Sequence, residues 1–187
     1  MEDILVVDAS SIFIFNKYYN FDKDYDKDVY HKLNNFLLSE ITNNKIIIID
    51  KVYDEIRTNR FTEKLKEKIK PYKIDTFFLF EEVEELIRTN TRADIIELFQ
   101  YSTSEVESQL LEYQEKYADL YLIAYCNYLK DKGFRPILVT EETFTDDKKI
   151  VYKIPTICRN ENIRFEKIFQ ILFNFYKDKL KFKLEIT

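Results

Sequence analysis

Short unbroken aliphatic runs alternate along this chain with longer stretches in which apolar side chains return every third or fourth residue. Residues 4–7 (ILVV), 45–49 (KIIII), 136–139 (PILV) and 163–165 (IRF) are the short runs, and their brevity and Ile/Val content predict buried strands. Between them the spacing predicts helices over about 11–19, 27–42, 51–58, 61–70, 81–101, 104–130 and 166–178. Pro71 stops the fourth, because its ring and missing N–H cannot continue a helix, and Gly133 ends the sixth. In that sixth stretch Val106, Leu110, Tyr113, Tyr117 and Leu120/Tyr121 recur at helical steps, and YLIAYCNYL is apolar nearly all round. Residues 73–80 fit strand or loop equally. The acidic segment NFDKDYDKD reads as a loop, and the Lys-rich stretch 145–153 as a hairpin or loop. Strands separated by helices predict an α/β fold, a three-layer, Rossmann-like sandwich around a central, mainly parallel sheet of about four to five strands. With no repeat or linker, residues 1–187 read as one domain.

Composition narrows the chemistry. The chain is 45% hydrophobic, with 14 Tyr and 16 Phe, so a core is assured. It has no 18-residue apolar stretch, and Glu2 and Asp3 stand where a signal peptide would carry Lys or Arg. A soluble, cytoplasmic protein is expected. A single Gly excludes the glycine-rich phosphate loops of dinucleotide and P-loop sites. One His leaves little material for zinc chemistry or a His-based triad, and Cys126 and Cys158 read as reduced core residues. The net charge of −5 is unevenly spread: residues 148–187 carry +6 and residues 1–147 carry −11. Such an asymmetry suits an anionic partner at the basic end, or simply a solvated Lys-rich surface.

The candidate chemistry lies in the carboxylates. In a parallel sheet, ligands bind beyond the carboxyl ends of the strands. Asp8 directly follows the first strand, and Thr140, Glu141 and Glu142 directly follow PILV. Glu55 lies on the helix after KIIII, and Asp119 opens the apolar LYLIAYC run. Each has a plain structural explanation taken alone. Asp8 and Asp50 could be helix N-caps, Asp119 could cap a helix restarting after a break at Tyr117-Ala118, and Glu55, Glu141 and Glu142 could be surface charge. Taken together, several carboxylates within a few ångströms raise one another's pKa unless they share a cation. An all-oxygen cluster selects Mg²⁺ or Mn²⁺, ions that join carboxylates to substrate phosphate and activate water for phosphodiester cleavage.

The segments VVDASSIF, KVYDEI, YADLYLIA and ILVTEE resemble, in order, the four acidic motifs of PIN-domain nucleases. KKIVYKIPTICRNENIRF further resembles a later signature of a bacterial, toxin-type PIN-like subfamily with a C-terminal K-I-P-x-x-C segment. The resemblance spans nearly the whole chain. It implies a PIN-like domain whose catalytic acids are Asp8, Glu55, Asp119 and Glu142, with Asp8, Asp119 and Glu142 as metal ligands. The fourth position departs from the pattern, since Glu142 replaces the more usual Asp; Glu141 and Asp146 are its competitors. Ser10, Thr140 and Glu141 would support the site, and Arg57, Lys148, Lys149 and Lys153 are candidate RNA contacts. The implied activity is a Mg²⁺- or Mn²⁺-dependent endoribonuclease specific for single strands. Such proteins are commonly the toxin of a toxin–antitoxin pair, with a small antitoxin protein as partner, often homodimeric and often cutting tRNA. Residues 71–113 exceed a minimal PIN domain and are expected to form a helical clip or partner surface.

Two other readings compete. A PIN-like module could hold RNA or protein without cutting, although a pure binder gains nothing from clustered repulsive charge. A phosphotransfer fold of the receiver or haloacid-dehalogenase kind also places Asp at strand ends. The dehalogenase pattern wants a second Asp two residues after the first, where this chain has Ser10, and a receiver wants paired acids that are not evident here.

Overall fold

A computed structural model describes residues 2–19, 27–57, 62–144 and 149–180. Its centre is a four-stranded, all-parallel sheet of order β2-β1-β3-β4, formed by β1 (Asp3–Val7), β2 (Ile46–Ile47), β3 (Arg135–Val139) and β4 (Arg164–Glu166). Among the described residues the α-helices are α1 (Ala9–Tyr19), α2 (Lys27–Thr42), α3 (Asp50–Glu55), α4 (Thr62–Ile69), α5 (Phe80–Asn90), α6 (Ala93–Leu98), α7 (Thr103–Glu115), α8 (Ala118–Asp131), α9 (Ile154–Asn160) and α10 (Ile168–Leu180). Together they make the three-layer α/β sandwich.

The central strands are buried on both faces, as their continuous aliphatic sequences require: Ile4–Val7 and Ile137–Val139 are all 6% exposed or less. Alternation along β1 sends Leu5 and Val7 to a face shared with α1, α2 and α10. On β3 packs α8, whose residues Leu120, Leu122, Ile123, Ala124 and Cys126 are fully enclosed. The near-total apolarity of that helix is thus explained by its position in the core. Cys126 and Cys158 are free and buried. Burial raises both thiols, Cys158 to about 12, so neither is primed as a nucleophile.

Three of the four strands are entered through the same kind of turn. At the end of α8, Gly133 (φ +83°) donates to the Lys130 carbonyl and Phe134 donates to that of Leu129, a Schellman closure. Asn44 (φ 55°) and Asn162 (φ 52°) do the same after α2 and α9. Asn tolerates the left-handed region better than most residues, which is how a chain with one Gly leads into three strands through such turns.

The structure departs from the sequence reading in four places. The stretch 81–101 is two helices, α5 and α6, parted where Thr91 bridges Val151. The stretch 104–130 is parted at Lys116-Tyr117 into α7 and α8, with a Ser102/Glu105 capping box opening α7. Residues 154–160, read only as a K-I-P turn, form α9 with Pro155 in its first turn, where a missing N–H costs nothing. Asp50 lies inside α3 and is not its N-cap; its Oδ1 accepts from Thr76 Oγ1 at 2.5 Å.

Candidate active site at the carboxyl edge of the sheet

The order β2-β1-β3-β4 reverses between β1 and β3, and a crevice opens at such a reversal. Asp8 and Thr140 leave these two strands side by side. Thr140, 1% exposed, donates through Oγ1 to Asp8 Oδ2 at 3.0 Å, and Ser10 Oγ donates to the same oxygen. Among the described residues Asp8 Oδ1 takes no hydrogen bond, so one oxygen is anchored and the other is available. The Asp8 carbonyl accepts from Ser11 and Ile12, which makes Asp8 the residue preceding α1 as well as a site carboxylate.

The remaining acids lie at or accept from the starts of helices. Glu55, the last residue of α3, accepts the Ala118 N–H, the first of α8, at 3.0 Å. Asp119 follows in the first turn of α8, where the helix dipole favours negative charge. Glu142 accepts the Ile154 N–H, first of α9, at 3.1 Å and lies 3.9 Å from Lys149 Nζ. Glu141 accepts the Ile168 N–H, first of α10, at 3.0 Å, while its own N–H donates to Ser10 Oγ at 3.2 Å.

The electrostatics separate members from bystanders. Burial pushes the Asp119 carboxyl up to about 7, helped by repulsion from Glu142, Asp8 and Glu55 in that order, with Lys149 pulling the other way. Glu55 is also raised, first by burial and then by Asp8, against the Ala118 N–H and Lys149. Four acids from four distant segments therefore act on one another. Glu142 acts on Asp119, and Glu141 is engaged with the start of α10. Asp146 and Lys148 lie outside the described residues. Among the candidate RNA contacts, Lys149 stands at the cluster, Lys153 is the N-cap of α9, and Arg57 is exposed just after α3.

Among the described residues no three acids stand in a ready metal-holding arrangement. The donor set nevertheless fits a hard divalent ion. Mg²⁺ is usually held by one or two carboxylates plus waters and substrate phosphates, and does not need an all-protein cage. The mutual repulsion focused on Asp119 is the kind of field a cation relieves.

Sequence reasoning missed the wall beside these acids. Tyr113 and Tyr117 fit the helical apolar spacing and read as core. Tyr113 is buried, but the break before α8 leaves Tyr117 43% exposed, with its ring 5.0 Å from that of Tyr113. Residues 149–153 are strapped to the α5–α6 junction by Arg92 N–H to the Ile150 carbonyl (2.8 Å) and Tyr152 N–H to that of Asn90 (3.2 Å). The helices between residues 80 and 115 thus buttress the site.

Among the described residues no helix is long and apolar enough to cross a membrane. A family model described as a domain of unknown function, DUF4411, matches residues 6–177, a span that contains all four acids. No curated protein and no solved structure matches the chain.

Proposed function

The chain belongs to the DUF4411 family, and for this member we propose the activity of a Mg²⁺- or Mn²⁺-dependent endoribonuclease. One observation carries the reading: burial raises the Asp119 carboxyl to about 7, and Glu142, Asp8 and Glu55, from separate parts of the chain, push it the same way. Structural carboxylates are normally paired with cations or N–H groups that lower their pKa. Convergence of acids at the reversal point of a parallel sheet is the arrangement expected of a site that takes a cation with its substrate.

Asp8, Asp119 and Glu142 are the residues that would hold the ion. When bound, the ion would supply neutralisation of the phosphodiester charge and activation of the attacking water. The chain's own part is positional. Ser10 and Thr140 fix the Asp8 carboxylate, leaving Oδ1 for a ligand. Glu55 ties the start of α8 to α3 and so sets the height of Asp119. Lys149, next to Glu142, offers a cation to a phosphate oxygen. The PIN resemblance extends the proposal to the toxin of a toxin–antitoxin pair.

A specific observation favours the alternative, a PIN-like module that binds RNA or protein without cutting. Glu55, Glu141 and Glu142 each already accept a helix-terminal N–H, a purely structural use for an acid. Incubation of the purified protein with total RNA separates the two. Discrete products are expected with Mn²⁺ or Mg²⁺, with no products in EDTA, and at least about 100-fold less product from Asp8→Asn, a loss in the range that even outer-shell partners of a metal produce. Under the toxin proposal the wild type, and not this variant, arrests growth on expression. An Asp8→Asn protein that cuts at the wild-type rate would refute the metal-site reading.

A further inference from the structure

Next to the acids is an open pocket of which the cleavage chemistry uses only Lys149. Its volume is about 340 Å³, and Gln109, Glu112, Tyr113, Tyr117 and Lys149 line it. That is the lower end of the size range, roughly 300–1,000 Å³, of small-ligand pockets. The pocket and the acid cluster share structure. Tyr117 is the N-cap of α8, so it directly precedes the N–H that Glu55 holds, and Asp119 lies two residues on. Lys149 lines the pocket and also acts on Glu142, Asp119 and Glu55.

The lining has two chemical parts. One is aromatic: the Tyr117 ring, 43% exposed, leans on Tyr113 at 5.0 Å and 42°. A ring held by a second ring and open on the pocket side is a stacking surface. The other part is polar: the Lys149 ammonium lies 3.9 Å from Glu142, and the Gln109 amide and the Glu112 carboxylate, whose Oε1 accepts from Lys116 Nζ at 3.0 Å, can bond the edge of a planar heterocycle. A ligand that satisfies both parts is flat, has hydrogen-bonding edges, and carries a negative charge on one side. A nucleotide has all three features.

We propose that this pocket receives one unstacked nucleobase of a single-stranded RNA, with Tyr117 beneath its face and the adjoining phosphate led past Lys149 to the acids. The proposal rests on the ribonuclease reading of those acids and makes it specific. A base inside an A-form duplex presents no free face, so the substrate is an unpaired strand, loop or end. The helices of residues 80–115 then contribute half of the substrate site.

The test uses the Asp8→Asn protein, which binds without consuming its probe, and short single-stranded RNA labelled with fluorescein, or carrying 2-aminopurine, whose emission falls on stacking. Adding Tyr117→Ala should weaken binding about tenfold and abolish the 2-aminopurine quenching, while Tyr117→Phe stays within about twofold of the parent, because the stack needs only the ring. A fully paired duplex of the same sequence should compete poorly. Unchanged affinity and quenching in Tyr117→Ala, equal competition by duplex, or no binding of single-stranded RNA would each overturn the pocket. Wild-type cleavage, assayed separately, judges the other reading. Tyr117-dependent binding without metal-dependent cleavage supports the pocket and removes the nuclease. Cleavage with Tyr117-independent binding does the reverse.

Discussion

The two ends of the same pair of strands solve opposite problems. At the amino end of β1 and β3, Asp3 faces Arg135 in register, and the guanidinium grips the carboxylate through Nε at 2.5 Å and NH2 at 2.9 Å. Glu2 beside it pairs with Lys45. Every acid there meets a cation. At the carboxyl end, five residues along each strand, Asp8 meets two hydroxyls, and Asp119 is pushed by Glu142, Asp8 and Glu55, with Lys149 pulling the other way. The amino end shows that this chain can neutralise acids at a sheet edge with its own side chains. Leaving them opposed at the other end is therefore a local arrangement, and it costs stability that a bound cation would return.

Substitutions at the two ends should behave differently, and the contrast can be broken in graded steps. Asp8→Asn is expected to have the largest effect, loss of cleavage with the fold retained, read by RNA products and by circular dichroism. Thr140→Val comes next. It keeps the shape of a buried residue but removes one of the two hydroxyls that hold Asp8. A roughly 10- to 100-fold fall in cleavage is expected, with about 1 kcal/mol lost from urea unfolding. If Thr140→Val cleaves normally, Asp8 does not need its anchor and the orientation argument fails. Arg135→Ala should do least: no change in cleavage and at most about 1 kcal/mol in stability, because exposed ion pairs contribute little. A large loss of activity there would mean that the two edges are coupled.

The contrast also marks what could be read from the sequence. The strand ends were legible because unbroken runs such as ILVV and PILV allow no other burial, and the acids that terminate them follow directly. The break at Thr91-Arg92 was not, since it carries no Gly or Pro and the three-and-four spacing runs through it, and the break before α8 was open only as an alternative, at Tyr117-Ala118. Tyr113 and Tyr117 were consequently hidden in a helical pattern that only the break separates into a buried ring and an exposed one. Pro155 marks no helix in the sequence, because a proline stops helices from within and starts them from the first turn, and sequence alone does not say which applies. Glu141 and Glu142 are told apart only by the helix each carboxylate meets, through the N–H of Ile168 or of Ile154. Those donors lie more than ten residues away, beyond any local pattern.

The central claim, that Asp119 is held against its neighbours' charge until a cation arrives, is tested most directly by unfolding wild type and Asp119→Asn with EDTA and with Mn²⁺ from pH 4 to 8. A carboxyl raised from 3.8 to about 7 favours the folded state fully below its ordinary range, and that contribution is lost as pH rises through about 7. The account predicts that metal-free wild type loses stability between about pH 4 and 7, that Asp119→Asn loses less because only Glu55 of the raised acids at the site remains, and that at pH 7.5 the variant is the more stable of the two. Mn²⁺ should then stabilise wild type and leave the variant nearly unchanged. A variant less stable than wild type across that range, or one that gains as much from Mn²⁺, would contradict the account.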